Sequence, residues 1–480
     1  MKKKLISWSF STLLIIMTLA LVINFSRNKG NGDEIDRTVE KYNATGASIA
    51  LIENGKITEI RNYGYENKEE GKLVNDKTRF KIASISKTVT AYAIMQLVEE
   101  NKLDLDVPVN NYLKKWKIPK SKYGEDKVTL RKLLSHTSGV TGSREDIYDK
   151  KLPSVDEALK LNNVRLKREP GSEFEYSEFS GYGICQLVIE DVTGMKFENY
   201  MEKYVFESLG MKSTDFANSD NEKGSLAVPY AGKGCATKVV PIVMNGAGGV
   251  TTTSFDLAQF EIELMNYYAS GCGEMFKPQE NTLSDAGYYG LGIIPRKLKN
   301  GYTVYEHNGT LTGWNSQLDI SPETKSGIAV VSNSDKAYYM TYELMEVWSS
   351  NFLGEKVSDS VMANLRQIFM KIEILLLISI CLFAMILIRK MKKKKLVFAI
   401  RPLRTGISIV LLMLYLIIDY IVFYKDWMFN MLYGMEDYYL FTFFPPEFKV
   451  IQCEIIVLLI LILIRLFNIQ KPVCKIQGDV

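Results

Sequence analysis

"RFKIASISKTVTAYAIMQLVEENKLD", residues 79–104, places apolar side chains at Val89, Ala93, Ile94 and Leu97, the spacing of one helix face. The pattern begins at Ser84, so this serine stands at a helix start. Lys87 follows on the same face, because positions i and i+3 are neighbours on a helix. Serine is a common N-cap and lysine a common surface residue, so the pair alone has an ordinary structural explanation. It also has a chemical one. A serine hydroxyl is a poor nucleophile until a base takes its proton, and a lysine becomes such a base when burial or neighbouring charge lowers its pKa. A helix N-terminus adds oriented N–H groups and positive potential beside an oxyanion.

The flanks supply the architecture. "DEIDRTVEKYNA" reads as a short charged helix, and "GASIALIENGKITEIRNYGYEN" as two strands joined at Asn54-Gly55, a strong hairpin signal. Far downstream, "YTVYEHNG", "WNSQLDISPE" and "SGIAVVSNS" read as strands and "KAYYMTYELMEVWSSNFLG" as a helix. The middle, from about residue 85 to 270, reads as mostly helical. Strands from both ends of the 33–355 block therefore predict an α/β chain of the α+β kind. It has an antiparallel sheet flanked by helices, an inserted helical lobe, and a cleft between them as the place for a site.

Composition removes several functions. Lys+Arg total 59 against Asp+Glu 55, a net charge of +4, too balanced to suggest nucleic acid. Two histidines and no C-x-x-C spacing signal neither a zinc site nor a redox motif. No metal and no cofactor is expected.

Apolar runs point to a lipid bilayer. Lys2, Lys3 and Lys4 precede an uncharged stretch of 21 residues, Leu5 to Phe25, long enough for a ~30 Å hydrocarbon core, so residues 1–28 read as an uncleaved anchor or signal segment. Residues 356–480 carry three further runs, 372–388, 405–424 and 450–464, expected to form a three-helix transmembrane domain. Between the first two lies "RKMKKKK", which the positive-inside rule places in the cytoplasm, leaving 33–355 outside a multi-pass cytoplasmic membrane. The loop 425–449, rich in Trp, Tyr and Phe, then lies along the outer leaflet.

Four motifs carry a resemblance. Ser84-Ile85-Ser86-Lys87 is similar to the Ser-x-x-Lys motif of penicillin-recognising serine hydrolases. "LLSHTSGV" (133–140), "GAGGVTTTSFDLAQF" (246–260) and "EHNGTLTGW" (306–314) resemble the class C β-lactamase, D-peptidase and esterase branch. The resemblance implies a β-lactamase/transpeptidase-like fold and an acyl-enzyme mechanism. Ser84 would be the nucleophile and Lys87 its activator. Tyr176, in "EFEYSEFSGYG" (173–183), would be the phenol that passes protons to leaving group and water. His307, Asn308 and Gly309 stand where relatives carry Lys-Thr-Gly or His-x-Gly. The N–H groups of Ser84 and Thr310 would form the oxyanion hole, and Gly309 would let a substrate backbone approach. Trp314 is a further candidate for the cleft lining. His136 is read as structural support, and Gly246, Gly248 and Gly249 as a turn beside the cleft.

Two departures bear on substrate. His307 replaces lysine, as in peptidase and esterase relatives. Glu178 stands where the family has asparagine, and a carboxylate only accepts hydrogen bonds and raises the pKa of a nearby lysine. Efficient penicillin hydrolysis is therefore not expected. The resemblance implies a peptide or peptidoglycan-like substrate containing a D-amino acid, outside the membrane of a Gram-positive bacterium. The alternatives are an N-acyl-D-amino-acid prodrug, as for prodrug-activating peptidases with C-terminal transmembrane helices, a D-alanyl ester, or a β-lactam or cell-wall sensor without efficient turnover.

Overall fold

The computed structural model describes residues 32–141, 152–216, 223–231, 234–284, 287–357, 360–392, 396–398, 402–420, 447–466 and 468–470. The expected N-terminal anchor and most of the aromatic outer loop lie outside these residues. The chain divides into two compact units, Met1–Val357 and Ser358–Val480.

The first unit starts with α1 (Glu34–Tyr42), whose N-cap Asp33 accepts the Ile35 and Asp36 N–H groups. Strands β1 (Gly46–Glu53) and β2 (Lys56–Asn67) follow. Asn54 and Gly55 between them have φ 53° and 72°, the left-handed pair that a two-residue primed hairpin turn demands. Then come β3 (Lys72–Leu73), β4 (Phe80–Lys81), α2 (Ile85–Glu99), α3 (Ser180–Thr193), β5 (Val250–Thr252) and α4 (Ser254–Ala269). The unit closes with β6 (Ile294–Lys297), β7 (Thr303–Leu311), β8 (Trp314–Ser321), β9 (Ser326–Ser332) and α5 (Tyr338–Leu353).

The main sheet has seven strands in the order β6-β7-β8-β9-β1-β2-β3. Its two halves meet where β1 pairs antiparallel with β9, Ala47 opposite Ser332 through Ile52 opposite Gly327. Strands β8 and β9 are buried along their whole length, as is β1 up to Glu53, so helices must cover both faces. One cover is α4, tied to β1 by a 2.7 Å bond between the Ser48 and Ser254 hydroxyls. The sequence pattern assigned this helix to the inserted lobe. Its apolar face instead packs on the sheet, a choice that helical spacing cannot make. The lobe comprises α3 and shorter helices such as Leu130–Leu134 and Val155–Leu161.

In the second unit, α6 (Ser360–Lys392) contains Leu365–Lys390, 26 residues long and apolar enough to cross a membrane. Many of its large side chains are exposed, Leu375 at 64 %, whereas Ile380 and Leu387 are buried. The apolar stretches Ile409–Ile418 and Val450–Leu463, within α7 (Pro402–Asp419) and α8 (Glu447–Leu466), are shorter. Of the three expected spans, one is a helix of spanning length among the described residues.

One residue under the sheet conflicts with ordinary burial rules. Glu261 on α4 is 0 % exposed, and neither carboxylate oxygen has a hydrogen-bond partner of good geometry among the described residues. Burial first, and the negative charge of Asp319 second, push its pKa well above the usual range, and the nearby Asp319 backbone offsets only part of this. A carboxyl with a raised folded-state pKa contributes stability below its unfolded pKa of ~4.5 and loses it as pH rises toward the folded value. Glu261→Gln, which carries no titrating group, should therefore be more stable than the wild type at pH 8 by about 1–3 kcal/mol. The advantage should shrink toward pH 4. Thermal melts of the detergent-solubilised chain across that range check this, and a pH-independent difference would contradict it.

Candidate active site

Helix α2 is buried from Ile85 to Met95, with apolar residues such as Ile85, Val89, Ala91 and Ile94 spread around it rather than on one face. From Thr78 to Met95 only Ser84 is not buried. Residue 83, just before it, has φ +46°, a left-handed conformation that costs an alanine and turns the chain sharply from β4 into α2. The Ser84 side chain makes no capping bond. The N-cap explanation of the Ser-Lys pair therefore fails, and the hydroxyl is left for other work.

That hydroxyl receives a hydrogen bond from Lys87 Nζ at 3.1 Å, and Lys87 Nζ also donates to the Ala247 carbonyl at 2.8 Å. Lys87 is 0 % exposed, and its loss of water lowers the pKa to about 7. The negative charge of Glu178 pulls the other way. The neutral amine can keep its donation to Ala247 and turn its lone pair toward the Ser84 proton. The sequence contained no sign of the Ala247 carbonyl, whose place comes from the short helix Asn245–Gly248 packed against α2 and α3.

Tyr176 joins the same group. Lys87 Nζ lies 5.1 Å from the centre of its ring, and its hydroxyl is hydrogen-bonded to Ser84. Burial of the hydroxyl end raises its pKa, the Ser84 bond lowers it in part, and the Glu178 charge raises it again. With 37 % of the residue exposed, the upward push is weaker than for an enclosed phenol. The resting side chain is a protonated donor, which suits protonation of a leaving group.

Strand β7 forms the other wall. A side-chain carbon on Gly309 would fall 2.1 Å from the Ile82 carbonyl oxygen. The glycine is needed because this strand runs directly against the segment that leads to Ser84. Ser316 on β8 donates to the same Ile82 carbonyl at 2.9 Å. Strand β6 pairs only with residues 303–306 of β7, so the stretch 307–311, including Asn308 and Thr310, pairs with β8 on one side and with no other strand among those described.

His307 is engaged at both ring nitrogens. It is 1 % exposed, its Nδ1 lies 2.7 Å from the Asn308 carbonyl, and its Nε2 lies 2.8 Å from the Tyr289 hydroxyl. A carbonyl only accepts, so Nδ1 carries the proton and Nε2 accepts from Tyr289. Burial and the charge of Lys87 lower its pKa to about 3, so the ring is neutral and both nitrogens are occupied. Tyr289 has no signature in the sequence, since nothing local marks a tyrosine as the partner of a residue on another strand. Trp314, a candidate for the cleft lining, is 2 % exposed and packs edge-on to Phe80 in the core. Glu178 is half-buried and engages no hydrogen bond or ion pair among the described residues, yet its charge acts on both Lys87 and Tyr176.

Residues 33–345 match the family model described as Beta-lactamase. The chain belongs to the beta-lactamase family. Like other members it is a serine hydrolase. This beta-lactamase-family chain is similar to Protein flp of Staphylococcus aureus (strain MRSA252), 26 % identical, with 69 % of this chain and 68 % of that one covered. It is also similar to the putative penicillin-binding protein PbpX of Bacillus subtilis (strain 168), 27 % identical over 62 % of this chain and 73 % of that one. Among solved structures, an octameric penicillin-binding protein homologue from Pyrococcus abyssi superposes with a TM-score of 0.56 at 26 % identity, over 67 % of this chain and 76 % of that one.

The electrostatics of this beta-lactamase-family site set its pH response. With Lys87 at about 7, kcat/KM should rise with pH through a limb near pH 7 as the amine loses its proton. Because Glu178 holds that pKa up, Glu178→Gln should move the limb to lower pH. A pH–rate profile of the two forms checks both, and a shift to higher pH would contradict the assignment.

Proposed function

We propose that the chain is a membrane-anchored, extracytoplasmic serine hydrolase that acts through an acyl-enzyme on peptides or esters containing D-amino acids. One observation carries the reading: a fully buried lysine with a pKa near neutrality, 3.1 Å from the one accessible serine of a buried helix. Ser84 attacks the carbonyl as its proton passes to neutral Lys87. The N–H groups of Ser84 and Thr310 hold the oxyanion. Tyr176 protonates the leaving group, and the same groups then activate water for deacylation. An extended acyl donor lies along the open edge of residues 307–311, with Asn308 and Gly309 beside it, as an added strand.

The charges narrow the substrate. A neutral, fully engaged His307 offers no cation for the carboxylate of a penicillin or of a terminal D-alanine. Glu178, unpartnered beside Lys87, suits an acyl group that bears a free ammonium. Both features favour D-alanyl esters or amides, such as those of wall polymers, over N-acylated prodrugs. The relatives in Staphylococcus aureus and Bacillus subtilis and the helix Leu365–Lys390 support a Gram-positive, membrane-bound setting. The N-terminal anchor and the two further C-terminal spans complete a multi-pass topology with the catalytic unit outside.

The full chain should take up a fluorophosphonate probe, and Ser84→Ala should abolish labelling. Against a panel of D-alanyl esters, D-Ala-D-Ala peptides, N-acyl-D-asparagine amides and nitrocefin, turnover should be fastest for the D-alanyl esters. Glu178→Asn should shift preference toward N-acylated substrates by about tenfold or more. A covalent adduct that forms and never hydrolyses would establish a sensor instead.

A further inference from the structure

His136 stands in a costly position. It is 2 % exposed, its backbone has φ +59°, and its Nε2 has no hydrogen-bond partner among the described residues. A leucine would fill the same space without a buried polar atom, and a glycine would adopt the same backbone without strain. Such costs persist where the surroundings make use of the residue.

The use is visible in its contacts. The His136 carbonyl accepts the Glu175 N–H at 2.9 Å, and its ring Nδ1 accepts the Ser177 N–H at 3.0 Å. These are the backbone groups on either side of Tyr176. The imidazole also lies over the phenol, with ring centres 4.3 Å apart and planes tilted by 34°. With the left-handed backbone at residue 136, one residue presents both its carbonyl and its ring to the same segment. Accepting at Nδ1 requires the neutral ring with its proton on Nε2. Burial, and then the charge of Lys87, favour that neutral form.

We propose that His136 is the positioning residue of Tyr176, clamping the backbone on both sides of it and stacking on its ring so that the phenol stays directed at Ser84. This rests on the proton-transfer role given to Tyr176 above. It assigns to the histidine of "LLSHTSGV" a task that packing alone does not require: the acceptor atom at Nδ1 matters, and the Nε2 end does not.

Two substitutions separate these atoms. The amide oxygen of asparagine falls where Nδ1 stands, and asparagine tolerates a left-handed backbone. The amide of glutamine reaches instead to the position of Nε2. With the full chain in detergent and D-alanyl p-nitroanilide as substrate, Tyr176→Phe should lower kcat by about 10²-fold or more. His136→Gln should lower it by a similar factor with KM little changed, while His136→Asn should stay within about threefold of the wild type. The double variant His136→Gln with Tyr176→Phe should be no slower than Tyr176→Phe alone, because a clamp has nothing left to position. Losses that multiply, or a folded His136→Asn as slow as Tyr176→Phe, would overturn the clamp while leaving the role of Tyr176 intact. Should His136→Gln fail to fold, judged by its melting, the asparagine variant decides. A Tyr176→Phe enzyme as fast as the wild type would overturn the proton-transfer reading, and the clamp with it.

Discussion

The site depends on the removal of Lys87 from water. A surface lysine stays charged at neutral pH and cannot take a proton from serine. Enclosed on all sides of α2, its ammonium loses hydration, and the pKa falls from 10.5 to about 7. A shift of that size corresponds to roughly 5 kcal/mol in favour of the neutral amine. It requires a helix whose N-terminal part, from Ile85 to Met95, has no solvent face, which in turn requires partners around its circumference there. The sheet, α3 and the turn that carries Ala247 provide them. The same packing explains why Ser84 alone stays accessible in that stretch, since it occupies the helix end where the surrounding layers part.

The second constraint is the closeness of β7 to the segment before the serine. Gly309 against the Ile82 carbonyl, and Ser316 bonded to that same oxygen, fasten the strand to the helix start. This makes one rigid piece of two elements more than two hundred residues apart in the chain. Joining β1 to β9 has a comparable effect on the two ends of the unit. A nucleophile on a helix and a strand edge beside it then hold a fixed spacing, which is what an acyl group needs to be trapped between attack and oxyanion stabilisation.

Charge separates this member of the family from the pattern its motifs suggest. Where the resemblance implies a lysine or a histidine, a neutral imidazole is tied down by Tyr289 and by its own strand. Where it implies an asparagine, a carboxylate stands. The site therefore has one tunable amine, one protonated phenol and one carboxylate that is unpaired among the described residues, the balance on which the proposed substrate preference rests. The buried Glu261 is the opposite case, an acid enclosed with no cation beside it among the described residues.

Much of this was legible in the sequence, because it is local. Helical spacing after Ser84, the Asn54-Gly55 turn, the strands at both ends of the block and the apolar C-terminal runs follow from periodicity, turn chemistry and hydropathy. The position of Ser84 and Lys87 on one face follows from a rise of 1.5 Å per residue. Other features come from residues far apart in the chain, and no local pattern encodes them. The Ala247 carbonyl on Lys87, the engagement of His307 by Tyr289, the burial of Trp314, the true neighbour of Gly309 and the hold of His136 on the tyrosine segment are of this kind. So is the lysine pKa, since desolvation measures everything that surrounds a charge. The sequence determined which groups could react. The tertiary structure decided their protonation and their partners, because both are properties of the enclosure and not of the chain.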